Sequence, residues 1–156
     1  MKTLVVYDSA YGNTEKIARA IAGAITPSDE VIVLSAGDAN PSELESIGLL
    51  IVGSPTQGFR PTKPVQTFIE SIPGGTLKGI NVAAFDTRIP ASDAGTGLRL
   101  VMKMGGYAAP RIARALKKKG GNLVVPPEGF FVKGKEGPLG ERELERAASW
   151  AKEIAK

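Results

Sequence analysis

The run Asp8-Ser9-Ala10-Tyr11-Gly12-Asn13-Thr14 places hydroxyl donors near both ends of a short turn, with a glycine between them. Gly12 lets the backbone approach whatever lies in that turn, where a Cβ would obstruct it. If the turn opens a helix, its first amides have no intrahelical partners and the helix dipole favours negative charge. The chemistry on offer is anion binding, and a phosphate group fits it. The run is neither G-x-x-x-x-G-K-[ST] nor G-x-G-x-x-G, so one phosphate is favoured over two or three. The bland reading is that Ser9 and Thr14 only cap the helix.

Two other stretches carry polar residues and glycines at the ends of apolar runs. The first is Gly53-Ser54-Pro55-Thr56-Gln57-Gly58-Phe59-Arg60-Pro61. The second begins Asp86-Thr87-Arg88-Ile89 and continues through Gly95 to Gly97; it is long and polar, as functional loops often are. Ser54-Pro55 would also start a helix, and Gly58 would also serve a tight turn. The chain has no cysteine and no histidine, which removes disulfides, zinc-thiolate and iron-sulfur ligation, Cys-His nucleophiles and Ser-His-Asp triads together. No catalytic side chain and no metal site is expected, and the chemistry falls to a bound cofactor.

These three stretches need a scaffold that brings them to one place. Apolar runs at 2–7, 31–34, 49–53, 81–85 and 122–125 read as strands, and segments of helical period alternate with them. Thr14, Ile17, Ala18, Ile21, Ala22 and Ile25 share one face of a first helix that Pro27 stops. Pro41-Ser42-Glu43 opens a short second helix, and Val65, Phe68, Ile69 and Ile72 mark a third. A fourth is divided by Gly105-Gly106, with Leu98, Val101 and Met102 before it and Ile112, Ala115 and Leu116 after it. The last buries Leu144, Ala147, Ala148, Ala151 and Ile154. Pro126-Pro127 interrupts the final strand, so Phe130-Phe131-Val132 would continue the edge after a break. Repeated βα units predict a doubly wound α/β fold with a five-stranded parallel sheet and helices on both faces. The 156 residues are expected to form one domain, 1–156.

Ser-x-x-Gly-Asn-Thr directly after an N-terminal apolar strand resembles the phosphate loop of the flavodoxin family, and Gly53-Ser54-Pro55-Thr56 resembles that family's second loop. The resemblance implies sheet order 2-1-3-4-5, with FMN at the carboxyl ends of the strands. It implies that Ser9, Ala10, Tyr11, Gly12, Asn13 and Thr14 hold the phosphate. Ser54, Pro55, Thr56, Gln57, Gly58 and Phe59 would flank the ring on one side, and Asp86, Thr87, Arg88 and Gly95 on the other. Gln57 stands where a tryptophan is common, and the third loop has no aromatic residue, so Phe59 is the nearest stacking group. A cation such as Arg88 beside the ring would stabilise anionic reduced flavin and give a less strongly reducing carrier.

The function implied is electron transfer between redox partner proteins. The alternatives are an NAD(P)H-dependent quinone or flavin reductase on the same fold, and a non-redox protein that holds a phosphorylated ligand. Between Arg88 and Pro127 eight cations face one acid, within a net charge of +4. That basic flank points to acidic partners docking near residues 99–119 rather than to nucleic acid. No apolar run approaches the length of a membrane span, and a cytoplasmic location is expected.

Overall fold

The computed structural model describes residues 2–25, 30–90 and 106–155. Its strands are β1 (Lys2–Tyr7), β2 (Glu30–Ser35), β3 (Ile47–Pro55), β4 (Asn81–Arg88), β5 (Asn122–Leu123) and β6 (Glu128–Phe131). Its α-helices are α1 (Asn13–Ala24), α2 (Lys63–Ser71), α3 (Ala108–Lys118) and α4 (Glu143–Ile154). The strands pair in parallel in the order β2-β1-β3-β4-β5. β6 resumes the edge beside β4 after the Pro126-Pro127 break, with Phe85 to Arg88 opposite Glu128 to Phe131.

Parallel strands covered on both sides are apolar on both sides. Leu4, Val6, Leu50, Val52, Val82 and Ala84 face α2 and α3, while Val5, Tyr7, Leu49, Ile51, Ala83 and Phe85 face α1 and α4. This is the period-two alternation of a strand, applied to a sheet with two cores. In the second core Phe85, Phe130 and Trp150 meet edge to face, their centroids 5.9 to 6.1 Å apart. Gly53 makes room for that cluster, because a Cβ there would lie 2.0 Å from Phe85 Cζ.

Two expectations about elements change, and a third is not tested. The short second helix opened by Pro41 is a single 3-10 turn, Pro41–Leu44. Leu144 is exposed, and Trp150 takes the core position on α4, since Glu143 and Ala147 already occupy the inward side of its first turns. The Leu98, Val101 and Met102 piece lies outside the described residues, as does Pro27.

The outer edge of β6 is closed by side chains. The Phe131 amide donates to Glu143 Oε2 at 2.8 Å, Arg146 Nη2 donates to the Gly129 carbonyl, and the Gly140 amide donates to the Phe131 carbonyl at 2.8 Å. Glu143 and Arg146 are themselves joined at 2.7 Å. An open strand edge is a template for pairing with another chain, and the first turn of α4 covers this one. Burial pushes the Glu143 carboxyl up, but the Arg146 guanidinium and the Phe131 amide outweigh it and hold the carboxyl below its ordinary range.

Candidate functional site

β1 and β3 are neighbours whose chains leave toward opposite faces, α1 on one side and α2 on the other. The crevice between them opens at the carboxyl ends of the strands. Of the eight buried polar residues among those described, six lie at this end: Asn13, Thr14, Ser54, Thr62, Asp86 and Thr87. Burying polar groups is unfavourable unless each is hydrogen bonded, so such a concentration marks where the fold has been shaped for something other than packing.

The turn from Ser9 to Thr14 is built around one hydroxyl. Ser9 Oγ accepts from the Gly12 amide at 3.0 Å and from the Glu15 amide at 3.4 Å. Gly12 is left-handed, with φ 89° and ψ −8°, and nothing lies within 4 Å of where its Cβ would be. Its glycine is required by conformation, not by crowding from the protein. The amides of Ala10, Tyr11, Asn13 and Thr14 have no hydrogen-bond partner among the described residues. They surround the N-terminus of α1, where the dipole adds to their attraction for an anion. Tyr11 stands 48% exposed beside them.

Two side chains expected to reach a ligand directly have protein partners. Thr14 Oγ1 lies 2.8 Å from Thr87 Oγ1. That bond uses one hydroxyl hydrogen and leaves the other available. Asn13 Nδ2 donates to the Glu136 carbonyl at 3.1 Å. Glu136 sits at the tip of a hairpin closed by the Val132 and Leu139 bridge. Gly137, at φ 104°, allows that contact, since a Cβ there would fall 2.7 Å from Asn13 Nδ2. The same hairpin contains the exposed Lys133 and Lys135. Sequence reasoning missed it; the Gly134 and Gly137 pair with two lysines was the available signal.

The second stretch divides into an anchor and a tip. Ser54 Oγ accepts from the Thr62 amide at 2.9 Å and donates to the Pro55 carbonyl at 2.8 Å, which fixes the entry to α2. The Thr56 amide donates to the Thr87 carbonyl at 3.0 Å, and Thr56 Oγ1 accepts from the Ala108 amide at 3.1 Å. Gln57 and Arg60 exchange backbone bonds at 2.9 and 3.0 Å around Gly58 (φ 55°) and Phe59 (φ 66°). Two consecutive left-handed residues make a type I′ turn. For Phe59 that conformation costs on the order of 1 kcal/mol, a strain that clusters at working sites.

In the third stretch the Asp86 carboxylate is fully buried and bidentate to Arg88, at 2.7 Å on each oxygen, and it accepts from the Ala109 amide at 2.8 Å. Burial pushes this carboxyl up, against the downward pull of Arg88 and the Ala109 amide. The Arg88 guanidinium lies 3.6 Å from the Tyr107 ring centroid, and Gly129 backs it where a Cβ would meet Nε at 2.1 Å. Arg88 is therefore a strand residue stacked on Tyr107 and paired with Asp86, not a free loop cation. Its charge is paired, and an unpaired cation as the basis for a raised potential is replaced by an ion pair with no net charge. Burial also raises Tyr107, partly offset by Arg88. Gly95 lies outside the described residues.

Thr56 and Asp86 together cap the first amides of α3, so all three stretches are joined: β1 turn to β4 through Thr14 and Thr87, β3 loop to β4 through Thr56 and Thr87, and both to α3. What this arrangement can do is hold a phosphorylated group at the α1 turn beside the Thr56 and Thr87 segments, which are hydrogen bonded to each other. Its polar side chains face one another, and its unused donors are the backbone amides and one hydrogen of the Thr14 and Thr87 pair.

The Flavodoxin domain family matches residues 4–127. A flavodoxin from the domain Archaea superposes with TM-score 0.76 at 25% identity, covering 99% of this chain and 96% of that one. Flavodoxin 1 from Bacillus cereus gives TM-score 0.77 at 21% identity, with 99% and 97% covered. Rubredoxin oxygen:oxidoreductase from Desulfovibrio gigas gives 0.75 at 22%, with 99% of this chain on 35% of that one. A Synechocystis protein named as a diflavin flavoprotein is 40% identical over 72 residues, 43% of this chain and 12% of that protein. Among the described residues no helix is long and apolar enough to cross a membrane.

Proposed function

Because the chain belongs to the Flavodoxin domain family, which implies FMN as cofactor, we propose that it binds FMN and carries electrons between redox partner proteins. FMN, when bound, supplies the redox chemistry; the protein supplies orientation, shielding and the local potential. The observation that carries the reading is the set of amides at Ala10, Tyr11, Asn13 and Thr14 without partners among the described residues, at the mouth of a crevice whose buried polar side chains are already satisfied.

In this reading the phosphate lies on those amides, with the Ser9 hydroxyl and the spare hydrogen of the Thr14 and Thr87 pair as further donors. Gln57, Gly58, Phe59 and the exposed ring of Tyr11 border the flavin ring. Asn13, through its side chain, and Ser54, Thr56, Asp86 and Arg88 are positioning residues that hold the loops at the right spacing. Pro55 and Thr87 complete the floor at the sheet ends. No protein acid or base is called for.

Adding FMN to purified protein is expected to give bound yellow chromophore with quenched fluorescence at micromolar concentration or below. Under anaerobic conditions NADPH alone should bleach it slowly, and NADPH with a flavoprotein reductase rapidly. Rapid bleaching by NADPH alone would instead make the protein a reductase.

A further inference from the structure

The outer face of α3 is entirely cationic. Arg111, Arg114, Lys117 and Lys118 are exposed, fall within about 120° of the helix circumference at 100° per residue, and make no ion pair with any described residue. The helix contains no acidic residue. The helix dipole accounts for Lys117 and Lys118, which lie in the last turn. It does not account for Arg111, which ends the first turn, where a cation is disfavoured, or for Arg114, which lies mid-helix beyond the reach of the last turn.

Beside that face runs a groove of about 250 Å³ between α2 and α3, with Pro61, Ile69, Ile112 and Ala115 among its lining and Arg60 and Arg111 at its rim. Glu70 is the one acid that lines it among the described residues. Arg60 closes the Gln57 to Arg60 turn. Arg111 follows the Ala108 and Ala109 amides held by Thr56 and Asp86. The head of the groove therefore adjoins the Gln57 to Arg60 turn and, through Asp86, the end of β4.

We propose that this groove is the docking site for an acidic redox protein, which inserts a small apolar side chain between carboxylates that pair with Arg60 and Arg111, while Arg114, Lys117 and Lys118 steer its approach. The assignment rests on the flavin-carrier reading and adds the partner's chemistry to it. Two exposed arginines beside an apolar floor match carboxylates that flank an apolar side chain, and like charge at the groove rejects basic partners. A docked partner would sit against the loops that border the flavin.

The test is a heteronuclear NMR titration of the FMN-loaded protein with a synthetic amphipathic peptide bearing several glutamates around one leucine. A single-stranded oligonucleotide of equal charge is run in parallel. Shifts are expected at Arg60, Gln66, Glu70, Arg111 and Ala115. Affinity should fall about tenfold in R111E and weaken steeply with salt, and a lysine-bearing version of the peptide should recover binding to R111E. Unchanged affinity in R111E, shifts mapping elsewhere, or tighter binding of the oligonucleotide at the same residues would overturn the assignment. FMN fluorescence is followed in the same samples. FMN binding without peptide at the groove removes only the docking site, whereas peptide at the groove without FMN binding removes the carrier reading and keeps the acidic-partner surface.

Discussion

Thr14 and Thr87, 73 residues apart, share one hydrogen bond of 2.8 Å between buried hydroxyls. It ties the first turn of α1 to the end of β4, and only one of the two hydrogens is spent on it. Either threonine can be the donor, so the pair can present a hydrogen to a ligand from whichever side faces it.

Removing one hydroxyl leaves the other buried without its partner, at a cost of about 1–3 kcal/mol. Thr87→Val is therefore expected to lower unfolding free energy by that amount in denaturant titration, and to weaken FMN binding although Thr87 is not in the phosphate turn. The double variant T14V/T87V should be less destabilised than the two single losses added together. Strict additivity would mean that the two hydroxyls do not act as a unit.

The Asp86 and Arg88 pair is buried, bidentate and backed by Tyr107 and Gly129. Arg88→Ala would strand a carboxylate inside the protein and should cost about 3–5 kcal/mol. Arg88→Lys should recover little of it, because a single ammonium cannot reproduce two parallel bonds. Full recovery in lysine would show that charge alone, without the fork geometry, holds this corner.

Glu143 supplies a pH dependence. Its folded-state carboxyl lies below the ordinary value of 4.5, so its contribution is fully present above that value and is lost as pH falls through the depressed one. Stability measured across the acid range should decline less steeply in Glu143→Gln than in the parent chain. With the Phe131 amide and Gly129 carbonyl then less well covered, the edge of β6 should also become prone to pairing, read as aggregation by light scattering. Parallel acid limbs in the two proteins would contradict the role given to Glu143.

Much of this fold was legible because its strands and helices announce themselves by period: the run at 2–7, the face from Thr14 to Ile25, and the resumption at Phe130 after two prolines. The conformation of the turn from Ser9 to Thr14 was legible because its residues are consecutive. What was not legible depends on register between distant segments. Asn13 meets Glu136 across 123 residues, and no local pattern links them. Arg88 reads as a loop cation until β4 is seen to extend to it, which sets Asp86 and Arg88 on the same side of the strand. Leu144 fits a helical stripe, but the need to cap β6 turns Glu143 inward and leaves Leu144 in solvent.

The central claim is that the turn from Ser9 to Thr14 holds a phosphate belonging to a flavin, and the most direct measurement is the ratio of FMN to riboflavin affinity by fluorescence quenching. Charge-assisted bonds from several amides should make FMN tighter by about a hundredfold or more. Equal affinity for the two flavins, or no binding of FMN at micromolar concentration, would contradict it.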